Sequence, residues 1–93
     1  MLKKINEGGV ESSQGFSIQI TGPEVIKYIY KSYSVELEIN HDSKSRKAYI
    51  YASDINDWYQ GAKRIHMSPA DKHSMIQNIK EAVKLLTGDF EVV

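Results

Sequence analysis

Apolar and polar positions change period several times along this chain, and the longest regular stretch is Ser68–Thr87, SPADKHSMIQNIKEAVKLLT. Ile76, Ile79, Val83 and Leu86 recur there at three- and four-residue steps, with Met75 and Ala82 beside them. Lys72, Gln77, Lys80, Glu81 and Lys84 take the remaining sides. That is the stripe of an amphipathic helix with one buried face. Ser68 is placed to cap the free amides of the first turn, Pro69 is harmless at the first helical position, and Asp71 stands at the capping-box position. Gly88 closes the helix. Over its whole span it would run roughly 30 Å at about 1.5 Å per residue, enough to cross a small sheet.

Elsewhere the period is two. Phe16, Ile18 and Ile20 alternate with Ser17 and Gln19, and Val35, Leu37 and Ile39 alternate with Glu36 and Glu38. Ala48, Ile50 and Ala52 face one way, Tyr49 and Tyr51 the other. Each run predicts a half-buried strand. The polar stretch His41–Ser45 joins the last two as an antiparallel hairpin. Phe90 and Val92 predict a terminal strand, at the sheet edge or inserted beside the hairpin. Residues 3–7 read as a short strand or a loose end, and Gly8-Gly9 argues against regular structure beyond them. Residues 23–33 carry both periods. Pro23-Glu24 resembles a helix start, whereas Ile26, Tyr28 and Tyr30 alternate with Lys27 and Ile29; the start signal tips the expectation to a short helix. Ser53-Asp54 is expected to cap a single turn through Ile55, Trp58 and Tyr59, after which Gly61 frees the chain for KRIHM. The expected fold is α+β: a small, mostly antiparallel sheet with one long helix from the C-terminal half on one face and a final strand, all in a single domain over residues 1–93.

Charge and composition narrow the function. Twelve Lys+Arg balance 12 Asp+Glu, so no overall field draws the protein toward nucleic acid or anionic membrane. With no cysteine there is no disulfide scaffold, thiolate zinc site or thiol nucleophile. No apolar run approaches a membrane span, and MLKKINEGGVESS lacks the apolar core of a signal peptide, so a soluble cytoplasmic domain is expected. His66, Asp71 and His73 match no compact metal-ligand spacing, and consecutive His41, Asp42 and Ser43 cannot form a triad. Glu36 and Glu38 share one side of a strand, which is the ordinary pattern of a solvated face. No catalytic residue, metal or cofactor is therefore expected.

Two binding readings remain. Lys44, Arg46 and Lys47 beside Tyr49 and Tyr51 suit a non-catalytic domain that stacks single-stranded nucleic acid, although Glu36 and Glu38 on the neighbouring strand oppose phosphate. The other begins from the excess of rings, six tyrosines and one tryptophan. A sheet covered by one helix buries one face. Some of Tyr28, Tyr30, Tyr33, Tyr49, Tyr51, Trp58 and Tyr59 would then sit on the open face among Glu36, Glu38, Asp54 and Asp57, as in protein-binding surfaces. The alternative, of equal weight, is that the rings complete a second small core beneath residues 21–34.

The second half of the chain resembles a family of small bacterial immunity proteins encoded beside polymorphic or contact-dependent growth-inhibition toxins. The likeness lies in a strand ending at Tyr51, Ile55 three residues before Trp58, a serine-capped helix from Ser68 with Asn78-Ile79 and Ala82 at its centre, and a close at Gly88 followed by Glu91-Val92-Val93. Tyr59-Gln60-Gly61 departs from the prolines that the family often carries after the tryptophan. The resemblance implies a cytoplasmic, non-catalytic partner that binds the C-terminal domain of a cognate toxin, a nuclease, one to one and occludes its active site. It implies Glu36, Glu38, Asp54 and Asp57 as carboxylates facing a basic cleft, and Tyr49, Trp58 and Tyr59 as aromatic anchors. Neither membrane nor nucleic acid is expected as its partner.

Overall fold

The computed structural model describes residues 1–86 and 88–93. These form nine strands and one helix: β1 (Leu2–Asn6), β2 (Gly9–Ser12), β3 (Phe16–Gly22), β4 (Val25–Tyr30), β5 (Tyr33–Asp42), β6 (Lys47–Ile50), β7 (Asp57–Gln60), β8 (Lys63–His66), α1 (Pro69–Val83) and β9 (Asp89–Val92). The fold is α+β, with a mostly antiparallel, curled sheet in the order β1-β2-β3-β4-β5-β6-β9. Ten-residue β5 is its spine. One edge of β5 pairs β4 from Tyr33 to Glu38, while its other edge meets β7 at Ser34 and β6 from Ile39 to Asp42. The exception to antiparallel pairing is β9, which runs parallel to β6.

Period two decides residues 23–33. They form β4 rather than the expected short helix, because Ile26 and Tyr28 go to the core while strands β3 and β5 satisfy both edges of the backbone. Pro23-Glu24, which looked like a helix start, is the two-residue turn between Gly22 and Val25. A second correction falls on residues 54–60. Asp57–Gln60 is a strand in a tight hairpin with β8, not part of a capped turn, and Gly61 supplies the positive φ of 62° that its two-residue turn needs. Gly8-Gly9 does not break the chain either. Glu7-Gly8 makes the two-residue turn from β1 into β2, which Gly9 opens, and the space a Cβ on Gly9 would take is filled by the side chains of Gln19, Asn6 and Ile5.

Helix α1 is shorter than expected, about 22 Å at roughly 1.5 Å per residue, and ends at Val83. Leu85 and Leu86 donate to the carbonyls of Ala82 and Val83, tightening the last turn. Thr87, the expected last helical residue, lies outside the described residues. At the other end Ser68 accepts from the Asp71 amide at 3.1 Å. The Asp71 carboxylate does not complete a capping box: among the described residues it makes no hydrogen bond. Met75, Ile79, Ala82, Val83 and Leu86 are buried against the concave side of the curl, and Lys72 ties the helix to the Ser53 carbonyl and the Asn56 side chain. The helix touches β2 and β3 near one margin of the sheet and β9 at the other. One continuous core results, from Val10 and Phe16 through Leu37 and Ile50 to the helix stripe. No helix formed by the described residues is long and apolar enough to cross a membrane.

Candidate functional site

Because alternate residues of a strand point to opposite faces, burial of Ile26, Tyr28, Val35, Leu37, Ala48 and Ile50 sends Lys27, Ser34, Glu36, Glu38, Tyr49 and Tyr51 to the outer face. The helix does not cover that side. Register fixes the neighbours. Lys27 stands opposite Glu36, Val25 opposite Glu38, Asn40 opposite Tyr49, and Tyr49 opposite Glu91. The Tyr51 amide donates to the Glu38 carbonyl, which puts that ring beside Glu38. Tyr59 lies across from Ser34 and is 45 % exposed. Between Ser34, Glu36 and Tyr59 the surface sinks into an open depression also lined by Lys27 and Gly61. Neither His66 nor His73 lines it.

The carboxylates of this face differ in how far they are engaged. Glu36 and Glu38 are exposed and form no ion pair among the described residues, although Lys27 is the cross-strand neighbour of Glu36. Glu91 is loosely paired with Lys47 at 3.9 Å. Asp57 is committed. Arg64 donates to its Oδ2 from Nε at 2.6 Å and from the terminal nitrogen at 2.5 Å, and His66 Nδ1 lies 3.5 Å from Oδ1. The Arg64 guanidinium holds the Asp57 carboxyl below its ordinary value of 3.8, against a smaller opposing effect of desolvation. Asp54 is exposed on the loop between β6 and β7, which Lys72 ties to α1 through Ser53 and Asn56.

Of the seven residues singled out from the sequence, Glu36, Glu38, Tyr49, Asp57 and Tyr59 therefore share the outer face, and Asp54 lies apart from them on the loop tied to α1. Trp58 is corrected: it is turned inward and only 6 % exposed, so it is a core residue in this structure. Its ring centroid lies 6.0 Å from that of Tyr28, 6.4 Å from Tyr30 and 5.7 Å from Tyr33. Tyr28 also packs on Phe16 at 5.8 Å. Burial pushes the Tyr28 hydroxyl up, partly offset by the bond it accepts from Asn78 Nδ2 at 2.9 Å. The rings thus divide between two sites, a cluster inside the curl and a sparse set outside it. Lys27 and Ser34 were missed as neighbours of Glu36. Alternation within residues 25–30 was the signal for Lys27, hidden by a helical reading of that segment, whereas Ser34 continues the alternation of Glu36 and Glu38 on β5.

Chemically the outer face offers acceptors and aromatic edges on a rigid sheet. Among the described residues no three His, Cys, Asp or Glu side chains form a group able to hold a metal ion. The histidines lie apart: His41 Nε2 is 2.8 Å from the Pro23 carbonyl, His66 belongs to Asp57, and His73 is exposed on α1. Comparison with protein-family models, curated proteins and solved structures found no match for this chain.

Proposed function

We propose that this chain is a non-catalytic immunity protein that binds the C-terminal domain of a cognate toxin, a nuclease, one to one in the cytoplasm and occludes its active site through the outer face of β4, β5, β6 and β7. The observation that carries this reading is the pair of exposed carboxylates on β5. Glu36 and Glu38 have no cationic partner among the described residues, yet they stand on a sheet face that also presents Tyr49, Tyr51 and Tyr59. Unpaired carboxylates lose little on meeting a basic cleft, since no existing ion pair must be broken. They would speed and orient the encounter while the rings hold it. The total surface of 5960 Å² leaves ample room for a partner footprint of about 800 Å². The outer face favours a protein over a nucleic-acid strand, because Glu38 and Glu91 flank Tyr49 and Tyr51 and would repel phosphate there.

Calorimetric titration of the full chain against the toxin domain encoded immediately upstream tests this reading. One-to-one binding and loss of toxin activity are expected. Glu36→Lys with Glu38→Lys should weaken the complex at least about tenfold, mainly through slower association. Absence of binding by the unaltered protein overturns the proposal. Retention by a single-stranded oligonucleotide with a steep salt dependence would instead favour the nucleic-acid reading.

A further inference from the structure

On the concave side, α1 leaves uncovered a strip of sheet beside its first turns. A groove of about 250 Å³ lies there, below the roughly 300–1,000 Å³ usual for small-molecule pockets and suited to a single side chain. Its two walls are unlike. One is aromatic, formed by the half-buried Tyr30 ring and the small exposed parts of Phe16 and Trp58, which are 5 % and 6 % exposed. The other is a row of polar groups on the helix, Asp71, Ser74 and Asn78, whose three- and four-residue steps put them on one side of α1. No Lys, Arg or His lines this part of the groove.

The polar wall is rich in acceptors. Asp71 is exposed, and among the described residues its carboxylate makes neither a hydrogen bond nor an ion pair. It lies close enough to Tyr28 to contribute to the rise of that hydroxyl. Asn78 points one of its two Nδ2 N–H groups at the Tyr28 hydroxyl, and its Oδ1 makes no hydrogen bond among the described residues and can accept. Lys31 and His66 line only the adjoining depression beyond Tyr30 and Asp71, so a negatively charged ligand within the groove would meet the Asp71 carboxylate and the acceptors of the helix wall. An apolar one would strand the carboxylate and the amide. The complement is a planar cation with several N–H donors. The Lys31 ammonium, 5.3 Å from the Tyr30 ring centroid at the hairpin end, shows that this ring already attracts positive charge. Asp71 also offsets the positive end of the helix macrodipole, which would otherwise repel a cation.

We propose that this groove receives an arginine side chain of a protein partner, its guanidinium lying against the half-buried Tyr30 ring, beside the small exposed part of Trp58, and its N–H groups donating to Asp71 and Asn78. Arginine is favoured over lysine because a planar fork can stack and donate at once, whereas a compact ammonium cannot. The groove opens on the side of the sheet opposite Glu36 and Glu38, so this site does not depend on the outer-face reading.

Trp58 is the single tryptophan and borders the groove, so its fluorescence reports occupancy. The full chain is titrated with N-acetyl-arginine amide, with the lysine analogue, and with the neutral citrulline analogue of the same shape. A saturable change with the arginine compound is expected, weakened about tenfold or more for citrulline and less for lysine. Asp71→Asn should weaken arginine binding about tenfold, Asp71→Glu should restore most of it, and Tyr30→Leu should weaken it without altering the helix. Far-ultraviolet circular dichroism verifies that each variant is folded. No saturable response to the arginine compound, an equal response to citrulline, or an unchanged affinity in folded Asp71→Asn overturns the proposal.

Discussion

Among the described residues two that are not glycine, Lys31 at φ 56° and Arg46 at φ 61°, sit in the left-handed backbone region, and they do so for different returns. Lys31 occupies the first position of the turn between Tyr30 and Tyr33, the place that Gly61 takes in the β7–β8 hairpin. It recovers part of that steric cost by laying its ammonium over Tyr30. Arg46 has no comparable contact. It is exposed, and its amide is fixed by the Asp42 carbonyl at 2.8 Å. Left-handed geometry costs an ordinary residue about 1–2 kcal/mol, of which the extra entropy of unfolded glycine returns up to about 1 kcal/mol. Arg46→Gly should therefore raise stability by roughly 0.5–1 kcal/mol, seen as a higher urea midpoint with an unchanged slope.

Elements with one strong period were legible in advance, and those with two were not. The stripe around Ile79 and the alternation of Val35, Leu37 and Ile39 admit one reading each, and both hold in the structure. Residues 23–33 mislead because Pro23-Glu24 signals a helix locally, while the advantage of a strand comes from β3 and β5, which are distant in sequence and exert no local signal. The same holds for Trp58. Its inward direction follows from the β7–β8 pairing, and that pairing was hidden in residues read as a turn. The site divided likewise: Glu36 and Glu38 came from plain alternation, but the aromatic groove needs the helix and β4 placed together. At this scale the helix stripe is the element whose loss is most costly. Ile79 is fully buried, so Ile79→Ala should lower the unfolding free energy by about 2–5 kcal/mol in denaturant melts.

For the molecule as a whole, acid is the natural stress. Asp42, through the Ser45 hydroxyl and Lys44 amide, and Asp57, through Arg64, both hold their protons less tightly folded than unfolded. Each contribution is complete above the ordinary value of 3.8 and is lost as pH falls through the lower folded value. Urea midpoints should therefore drop on acidification below about pH 4. Asp57→Asn should be the weaker protein at neutral pH and converge on the unaltered one in acid, since both then lack the charged partner of Arg64.

The parallel match of β9 to β6 has a consequence for synthesis. Residues Lys47–Ile50 leave the ribosome well before Asp89–Val92, their neighbours on that side, and the intervening stretch includes all of α1. At about 5–20 residues per second, roughly 40 residues of translation separate the two, or about 2–8 seconds. Throughout that interval the nascent chain carries an open strand border, with the outer backbone groups of β6 unpaired, and β9 seals it.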